Sequence, residues 1–388
     1  MKRMTTITTI AAASLISLVG FTLAGPLNPP SGPVVSTMKT MTEVEPRIAI
    51  NATNTPSSID SVYRITQPGS YYLTGNVQCQ SNRYGIQIAT NGVTIDLNGY
   101  SVLGVASSLA GIHDGGSPRS DITIRNGSVK GAGSWGVALQ FSSNTRVENV
   151  LVSGCASHGI WCGSQAHIEG CTVNNCDGYG MIASDNSVIT RCIATGNGTT
   201  TSDDGISVAN NGLVTNCTAA SNAGAGVLLG EGSRASECVA NENFIGVHSF
   251  NRGAVISCSC SHNTNDGIRT AVDSQVRGCY CYGNTDDGIQ VDDRCVVSGN
   301  MCSVNGPGAQ GSGVYVLGND CRVDDNQFNH NHYGVLVNNA NTNNFIAKNT
   351  TTGNTVNFSV PANNNLAPVI TNPGTTFTGA TPWSNFAY

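Results

Sequence analysis

A glycine followed by an apolar residue recurs through most of this chain. It appears at Gly85-Ile86, Gly111-Ile112, Gly136-Val137, Gly159-Ile160, Gly180-Met181 and Gly205-Ile206, and again at Gly226-Val227, Gly246-Val247, Gly267-Ile268, Gly288-Ile289, Gly313-Val314 and Gly334-Val335. The intervals run from 20 to 26 residues. Such a period marks a solenoid, in which each repeat buries its apolar side only against its neighbours.

Columns within the repeat fix the kind of solenoid. The first and third residues after the glycine are apolar, as in Ile206 and Val208, Val227 and Leu229, or Ile289 and Val291. The ninth is apolar again at Ile168, Ile189, Val214, Val255, Val276 and Val297. The seventeenth is asparagine at Asn197, Asn222, Asn243, Asn263, Asn284 and Asn305. Short alternating runs divided by Asn and Gly corners predict three brief strands per coil and leave no helical half. The fold class is therefore all-β, a right-handed parallel β-helix. Twelve coils at about 4.8 Å apiece make a rod on the order of 55–60 Å long. Asparagine at one corner is expected to pass amide hydrogen bonds from coil to coil and to accept a left-handed backbone. Glycine at the other corner is expected to accept the same backbone without a side chain.

The composition agrees with stacked turns. Only 11% of residues are charged, Gly reaches 46, and the net charge is −6, which with the absence of a basic stripe argues against nucleic acid. Lys2 and Arg3 precede an uncharged, largely apolar run from Ile7 to Ala24, so residues 1–24 read as a signal peptide and the protein as secreted, periplasmic or cell-surface, with no membrane span after cleavage. The proline- and glycine-rich stretch 25–45 reads as a flexible leader, 46–84 as an N-terminal cap with the first strands, and 85–360 as the β-helix. Residues 361–388, with Trp383, Phe386 and Tyr388, read as a tail over the last coil.

Cysteines stack in the same register. Cys171, Cys192, Cys217, Cys238, Cys258 and Cys279 share one column, in which the next coil carries Asn300. Cys260, Cys281 and Cys302 share another, and Cys155 and Cys176 continue the asparagine column. Three states are open: buried inert thiols, cross-coil disulfides such as Cys171–Cys192, or a thiolate metal site at Cys258, Cys260, Cys279 and Cys281.

One lateral edge gathers candidate chemistry. Loops 198–204 and 306–312 each insert four extra residues at the same corner, five coils apart, and so wall a groove about 20–25 Å long. Asp204, Asp266 and Asp287 directly precede corner glycines there, with Asp203 and Asp286 one place earlier. The register puts the carboxylates of Asp266 and Asp287 about 5 Å apart, a spacing that pushes one pKa up and suits an acid–base pair. Alternatively the aspartates share a calcium ion, with Asp286, Asp287 and Asp292 as ligands. The strand leaving this corner presents His248, Arg269, Gln290 and Tyr315 outward on successive coils, joined by Phe250. Cation, carboxylates and aromatic faces on one strip suit a polysaccharide or cell-surface glycan, with Asp204 beside it. The same Asp-Asp-Gly-Ile sequence is also a good hydrated turn.

The repeat resembles those of NosD-type and pectin-lyase-like β-helix proteins, and the segments Tyr63–Val77 and Gly92–Gly104 are similar to their opening coils. The resemblance covers residues 60–350 and implies the fold; the superfold hosts lyases, hydrolases, binding proteins and adhesins. Asn263–Ile268 and Asn284–Ile289 resemble polygalacturonase aspartate motifs, which would make Asp266 and Asp287 acid and base. The Gly-His-Gly turn and Arg-Ile-Lys motif that follow in that family are missing. Similarity to pectate- and alginate-lyase-like helices implies instead calcium held by Asp266, Asp286 and Asp287, with Arg269 as base. The NosD likeness implies a metal-associated accessory protein, and a non-catalytic envelope rod is the remaining reading.

Overall fold

The computed structural model describes residues 46–308, 310–371 and 379–388. The expected signal peptide and leader lie outside the described residues. From Arg47 onward the described residues form an all-β solenoid of parallel strands, with no helix among them. One 14-stranded sheet takes a single strand from each coil, beginning with Ser61–Ile65 and ending with Val356–Ser359. A 28-stranded sheet takes two, such as Leu213–Thr215 and Thr218–Ala220, which bend about a corner at Asn216 and Cys217. Three strands per coil are thus as the sequence predicts.

The coils number fourteen where the glycine count predicts twelve. Register explains both omissions. Ser61 pairs with Tyr84 and Tyr63 with Ile86, so Val62 takes the glycine place in the first coil. Tyr333 pairs with Val356 and Val335 with Phe358, so Asn357 takes it in the last. A Cβ on Gly334 would lie 2.5 Å from the Asn357 carbonyl oxygen, whereas among the described residues no further strand of that sheet follows Asn357.

The same close approach corrects the expected role of the glycines. A Cβ on Gly267 would lie 2.6 Å from the Gly288 oxygen and 2.7 Å from Asn284 Nδ2, so the column is glycine because the coils and the asparagine amides fill that space. Left-handed backbone falls elsewhere. The residue just before the stacked asparagine adopts it on successive coils, including Ser221 (φ 53°), Glu242 (φ 58°), His262 (φ 54°) and Val304 (φ 59°). The asparagines themselves keep ordinary backbone and turn inward. Asn222 Nδ2 donates to Asn243 Oδ1 at 3.0 Å and to the Ala194 carbonyl at 3.0 Å, while Asn222 N–H donates to the same Oδ1 at 3.0 Å. Each amide satisfies backbone groups that the bend would otherwise leave buried and unpaired.

Cysteine imitates this arrangement. Cys171 N–H donates to Cys192 Sγ at 3.4 Å, and the Cys192 thiol donates to the Ile168 carbonyl at 3.6 Å. Further along the same column, Cys279 N–H donates to Asn300 Oδ1 at 2.8 Å and Asn300 Nδ2 to the Val276 carbonyl at 3.0 Å. The thiol therefore occupies the amide's place with longer, weaker bonds. Each of these corner columns passes from cysteine to asparagine toward the C-terminus, at Cys176 to Asn197, Cys279 to Asn300 and Cys321 to Asn344. All fifteen cysteines are free and buried. Burial pushes the Cys79 thiol up to about 11 and that of Cys162 to about 12, so both stay protonated at neutral pH.

Between the sheets runs one continuous apolar core, with Ile206, Val227, Val247, Ile268 and Ile289 fully buried on successive coils. Each such side chain contributes about 1.5–3 kcal/mol of burial. At the C-terminal end Asn385–Ala387 adds a parallel strand to Thr350–Thr352, and Lys348 Nζ lies 4.8 Å above the Trp383 ring. Among the described residues no helix is long and apolar enough to cross a membrane.

Candidate functional site

The outward row expected on the 14-stranded sheet forms in full. Leu228 pairs with His248, His248 with Arg269, Arg269 with Gln290, Gln290 with Tyr315, and Tyr315 with Leu336. Alternation sends these side chains outward because Val247, Ile268, Ile289 and Val314 beside them point into the core. Phe250 is 48% exposed, and its ring lies 5.3 Å from that of His248. Burial, aided by Arg269, lowers the proton affinity of His248. Tyr315 accepts a hydrogen bond at its hydroxyl from Asn338 Nδ2 at 3.3 Å. Next to this row a pocket of about 280 Å³ is lined by Ile182, Ser207, Leu228 and Phe250, among others.

The carboxylates behave differently from the expectation of an exposed pair. Asp266 is fully buried, Asp287 is 3% exposed and Asp204 is 5% exposed. Each turns under the corner and accepts a backbone N–H from the next coil: Asp204 from Ala225 at 2.7 Å, Asp266 from Asp287 at 3.2 Å, and Asp287 from Ser312 at 2.7 Å. Asp203 closes its own loop, accepting Thr200 N–H at 2.9 Å and the Thr200 hydroxyl at 2.8 Å. The turn reading of these aspartates is therefore a large part of what they do.

Asp266, Asp286 and Asp287 nevertheless converge, each with a carboxylate oxygen within 4.8 Å of the others. Among the described residues this is the one such group of three or more metal-type ligands, and the four cysteines 258, 260, 279 and 281 do not form another. Asp292 lies apart from it, beyond the strand Ile289–Val291, where its carboxylate accepts the Asp293 N–H at 3.1 Å. Arg269 binds Asp266 Oδ2 through Nε at 2.8 Å and Nη2 at 2.6 Å, and Nη2 also donates to Asn265 Oδ1 at 2.6 Å. Burial raises the Asp266 carboxyl while Arg269 opposes the rise. Asp287 lacks such a partner. Burial, with the charges of Asp266 and Asp286, pushes it up to about 8, and burial pushes Asp204 up to about 7.

Calcium takes six to eight oxygens. Here one oxygen of Asp266 and one of Asp287 already receive backbone N–H groups, and the other oxygen of Asp266 is held by a guanidinium. That donor set fits a buried ion pair with a neutral acid beside it better than a cation cage.

Aromatic residues were not among the expected ligands on the N-terminal coils, yet rings meet there in an unbroken chain. Tyr84 stacks on His113 at 4.3 Å and His113 lies 6.0 Å from Trp135. Trp135 meets Trp161 edge-on at 6.4 Å; His158 meets both Trp161 and Tyr179 at 5.3 Å. Their signal is split between two columns, the corner place before the glycine (Tyr84, Trp135, His158, Tyr179) and the outward row (His113, Trp161).

The model of the right-handed β-helix region matches residues 65–212 and 204–356, and the chain belongs to this family of right-handed parallel β-helix proteins. No curated protein matches the sequence. Among solved structures, the A-module of the Azotobacter vinelandii mannuronan C-5 epimerase AlgE6 is 17% identical, with a TM-score of 0.52 over 77% of this chain and 89% of that one. Pre-mature gene product 12 of bacteriophage phi29 is 13% identical, with a TM-score of 0.54 over 75% of this chain and 48% of that one. Both are likenesses of fold.

Proposed function

We propose that this is an exported β-helix that binds polysaccharide along the outward face of its 14-stranded sheet, between loops 198–204 and 306–312. The observation that carries the reading is the single row of His248, Arg269, Gln290 and Tyr315, in register and flanked by Phe250 and an apolar pocket. Such a strip offers ring faces to the apolar side of a sugar, and amide, imidazole and phenol groups to its hydroxyls. Asp266 orients Arg269 from beneath, and Asp204 and Asp287 hold the corners that carry the row. The solved relative named for an epimerase of mannuronan is in keeping with a glycan-facing role. The N-terminal basic and apolar run supports export to the periplasm, cell surface or medium.

Binding is tested by affinity electrophoresis in gels cast with neutral and uronate polysaccharides. Retardation should disappear in Arg269→Gln/Tyr315→Ala/Phe250→Ala, a variant whose changes are all outward. Unchanged retardation contradicts the assignment.

One observation favours modification of the glycan as a second reading: the carboxyl of Asp287, pushed up to about 8 by burial and the charges of Asp266 and Asp286, lies within 4.8 Å of that of the half-buried Asp286, an arrangement that acid–base chemistry can use. Incubation of the same polysaccharides with the protein, read by absorbance of unsaturated products and by reducing ends, with and without calcium, separates the two. Turnover lost in Asp287→Asn supports a lyase or hydrolase. Absence of turnover with retained binding leaves a non-catalytic binding or envelope rod.

A further inference from the structure

We infer that the rings of Tyr84, Trp135, His158, Trp161 and Tyr179, with the buried His113 stacked against Tyr84, form a stacking platform for neutral hexopyranose units, continuing the proposed glycan track toward the N-terminal end. The inference rests on reading this sheet as glycan-facing and adds to it a second subsite and a sugar class.

Continuity comes from register. His113 pairs with Ala138, Ala138 with Trp161, Trp161 with Ile182, Ile182 with Ser207, and Ser207 with Leu228, which opens the row of His248 and Arg269. The corner column is equally continuous, since Trp135, His158, Tyr179 and Asp204 each precede a corner glycine. Ile182, Ser207, Leu228 and Phe250 line the pocket between the two ends. From Tyr84 to Tyr179 the platform spans four coil steps, about 19 Å.

Its chemistry suits sugar. The rings of Tyr84, Trp135, Trp161 and Tyr179 are half-buried, so they are fixed by packing yet still present surface. Fixed rings lose little entropy when a pyranose face settles on them. Polar edges are interleaved with them in two phenols and two indole N–H groups, while His113 and His158 each accept a backbone N–H at Nδ1, from Gly115 and Tyr179, and brace the rings between them. Gln140 closes the central strand Trp135–Leu139, and its Oε1 is buried without a hydrogen-bond partner among the described residues.

Charge selects neutral sugars. The coil after Tyr179 brings Asp203 and Asp204; burial lowers the proton affinity of His158 while Asp203 opposes, and burial with both aspartates raises the Tyr179 phenol. Arg83, the cation nearest the first ring in sequence, spends its guanidinium on the Ser58 and Ser61 carbonyls and on Gln80. At the Tyr179 end a polyuronate would meet the negative charge of Asp203, whereas Arg64, an exposed cation in the same outward row, stands at the opposite end, one coil before Gln87.

Two of the three tryptophans stand on the platform, so intrinsic fluorescence reads it directly once Trp383→Phe removes the third. The probes are gluco-, manno- and galacto-oligosaccharides of two to eight units, and oligogalacturonates of the same lengths. Neutral probes should shift the emission with affinity rising with length. Trp135→Ala/Trp161→Ala, followed by calorimetry, should lose at least tenfold in affinity for the longer neutral probes, and Trp135→Phe/Trp161→Phe should recover most of it. Oligogalacturonates should bind at least tenfold more weakly at low salt. Equal affinity of parent and alanine variant at every length overturns the platform, as does preference for uronates or a change confined to oligomeric state. In that event, loss of binding in Arg269→Gln/Tyr315→Ala still upholds the proposed function. Conversely, an undiminished fluorescence response at every length in that variant upholds the platform and overturns the row of Arg269.

Discussion

Asp266 and Asp287 meet head to tail: the carboxylate of Asp266 accepts the backbone N–H of Asp287 at 3.2 Å, and Asp287 in turn accepts that of Ser312 at 2.7 Å. Two residues 21 apart in sequence are thereby locked one coil above the other. Only one of them has a counter-charge, from Arg269. This asymmetry separates a charged carboxylate from a neutral one within a single cluster.

A pH dependence of stability follows. Asp287, at about 8, and Asp204, at about 7, hold their protons in the folded chain but release them near pH 3.9 when unfolded. The folded state therefore binds more protons between these limits. Their contribution is whole below about pH 4 and is lost as pH rises toward 8. Thermal unfolding should show a falling Tm from pH 5 to pH 8, and Asp287→Asn should flatten it while keeping an acceptor for Ser312 N–H. A Tm that rises over that range contradicts the neutral-acid assignment.

Removing Arg269 leaves the Asp266 carboxylate buried beside two other carboxyls. Arg269→Ala should destabilise the protein by about 1–3 kcal/mol in denaturant titration. Asp266→Asn in that background should restore most of the loss, because the amide keeps an acceptor for Asp287 N–H. Additive losses in the double variant would break the proposed coupling.

The stacked amides give a contrast within one structural class. Asn243→Ala would leave the Asn222 N–H and the Ala219 carbonyl without their buried partner, at a cost of about 2–5 kcal/mol. Cys279→Asn extends an existing column by one member above Asn300 and should change stability by less than about 1 kcal/mol. Equal losses for the two substitutions would show that thiol and amide are not equivalent there.

The thiols themselves are countable. Titration with an aromatic disulfide reagent should find almost none reactive in the native protein and all fifteen after denaturation without reductant. A count well below fifteen in denaturant would reveal cross-coil disulfides.

How far the sequence could be read depends on what the period encodes. Register was legible, because the next coil's carbonyl leaves room only for glycine on twelve successive coils, and so His248, Arg269, Gln290 and Tyr315 could be aligned by counting. The terminal coils were not, since Val62 and Asn357 stand where the glycine would be. The inward turn of Asp266 and Asp287 was illegible for another reason: an Asp-Gly corner reads the same whether its carboxylate faces water or caps a backbone N–H. The aromatic chain was hidden by its division between two columns, although the corner column alone, Tyr84, Trp135, His158 and Tyr179, carried a readable signal.

The most direct test is a crystal structure with a bound oligosaccharide of six to eight neutral units. The account predicts a sugar chain lying along the coil axis on the outward face of the 14-stranded sheet, touching Trp161 at one end and Phe250, Arg269 or Tyr315 at the other. Sugar bound on the 28-stranded sheet instead, with the row from Trp161 to Tyr315 bare, would contradict it.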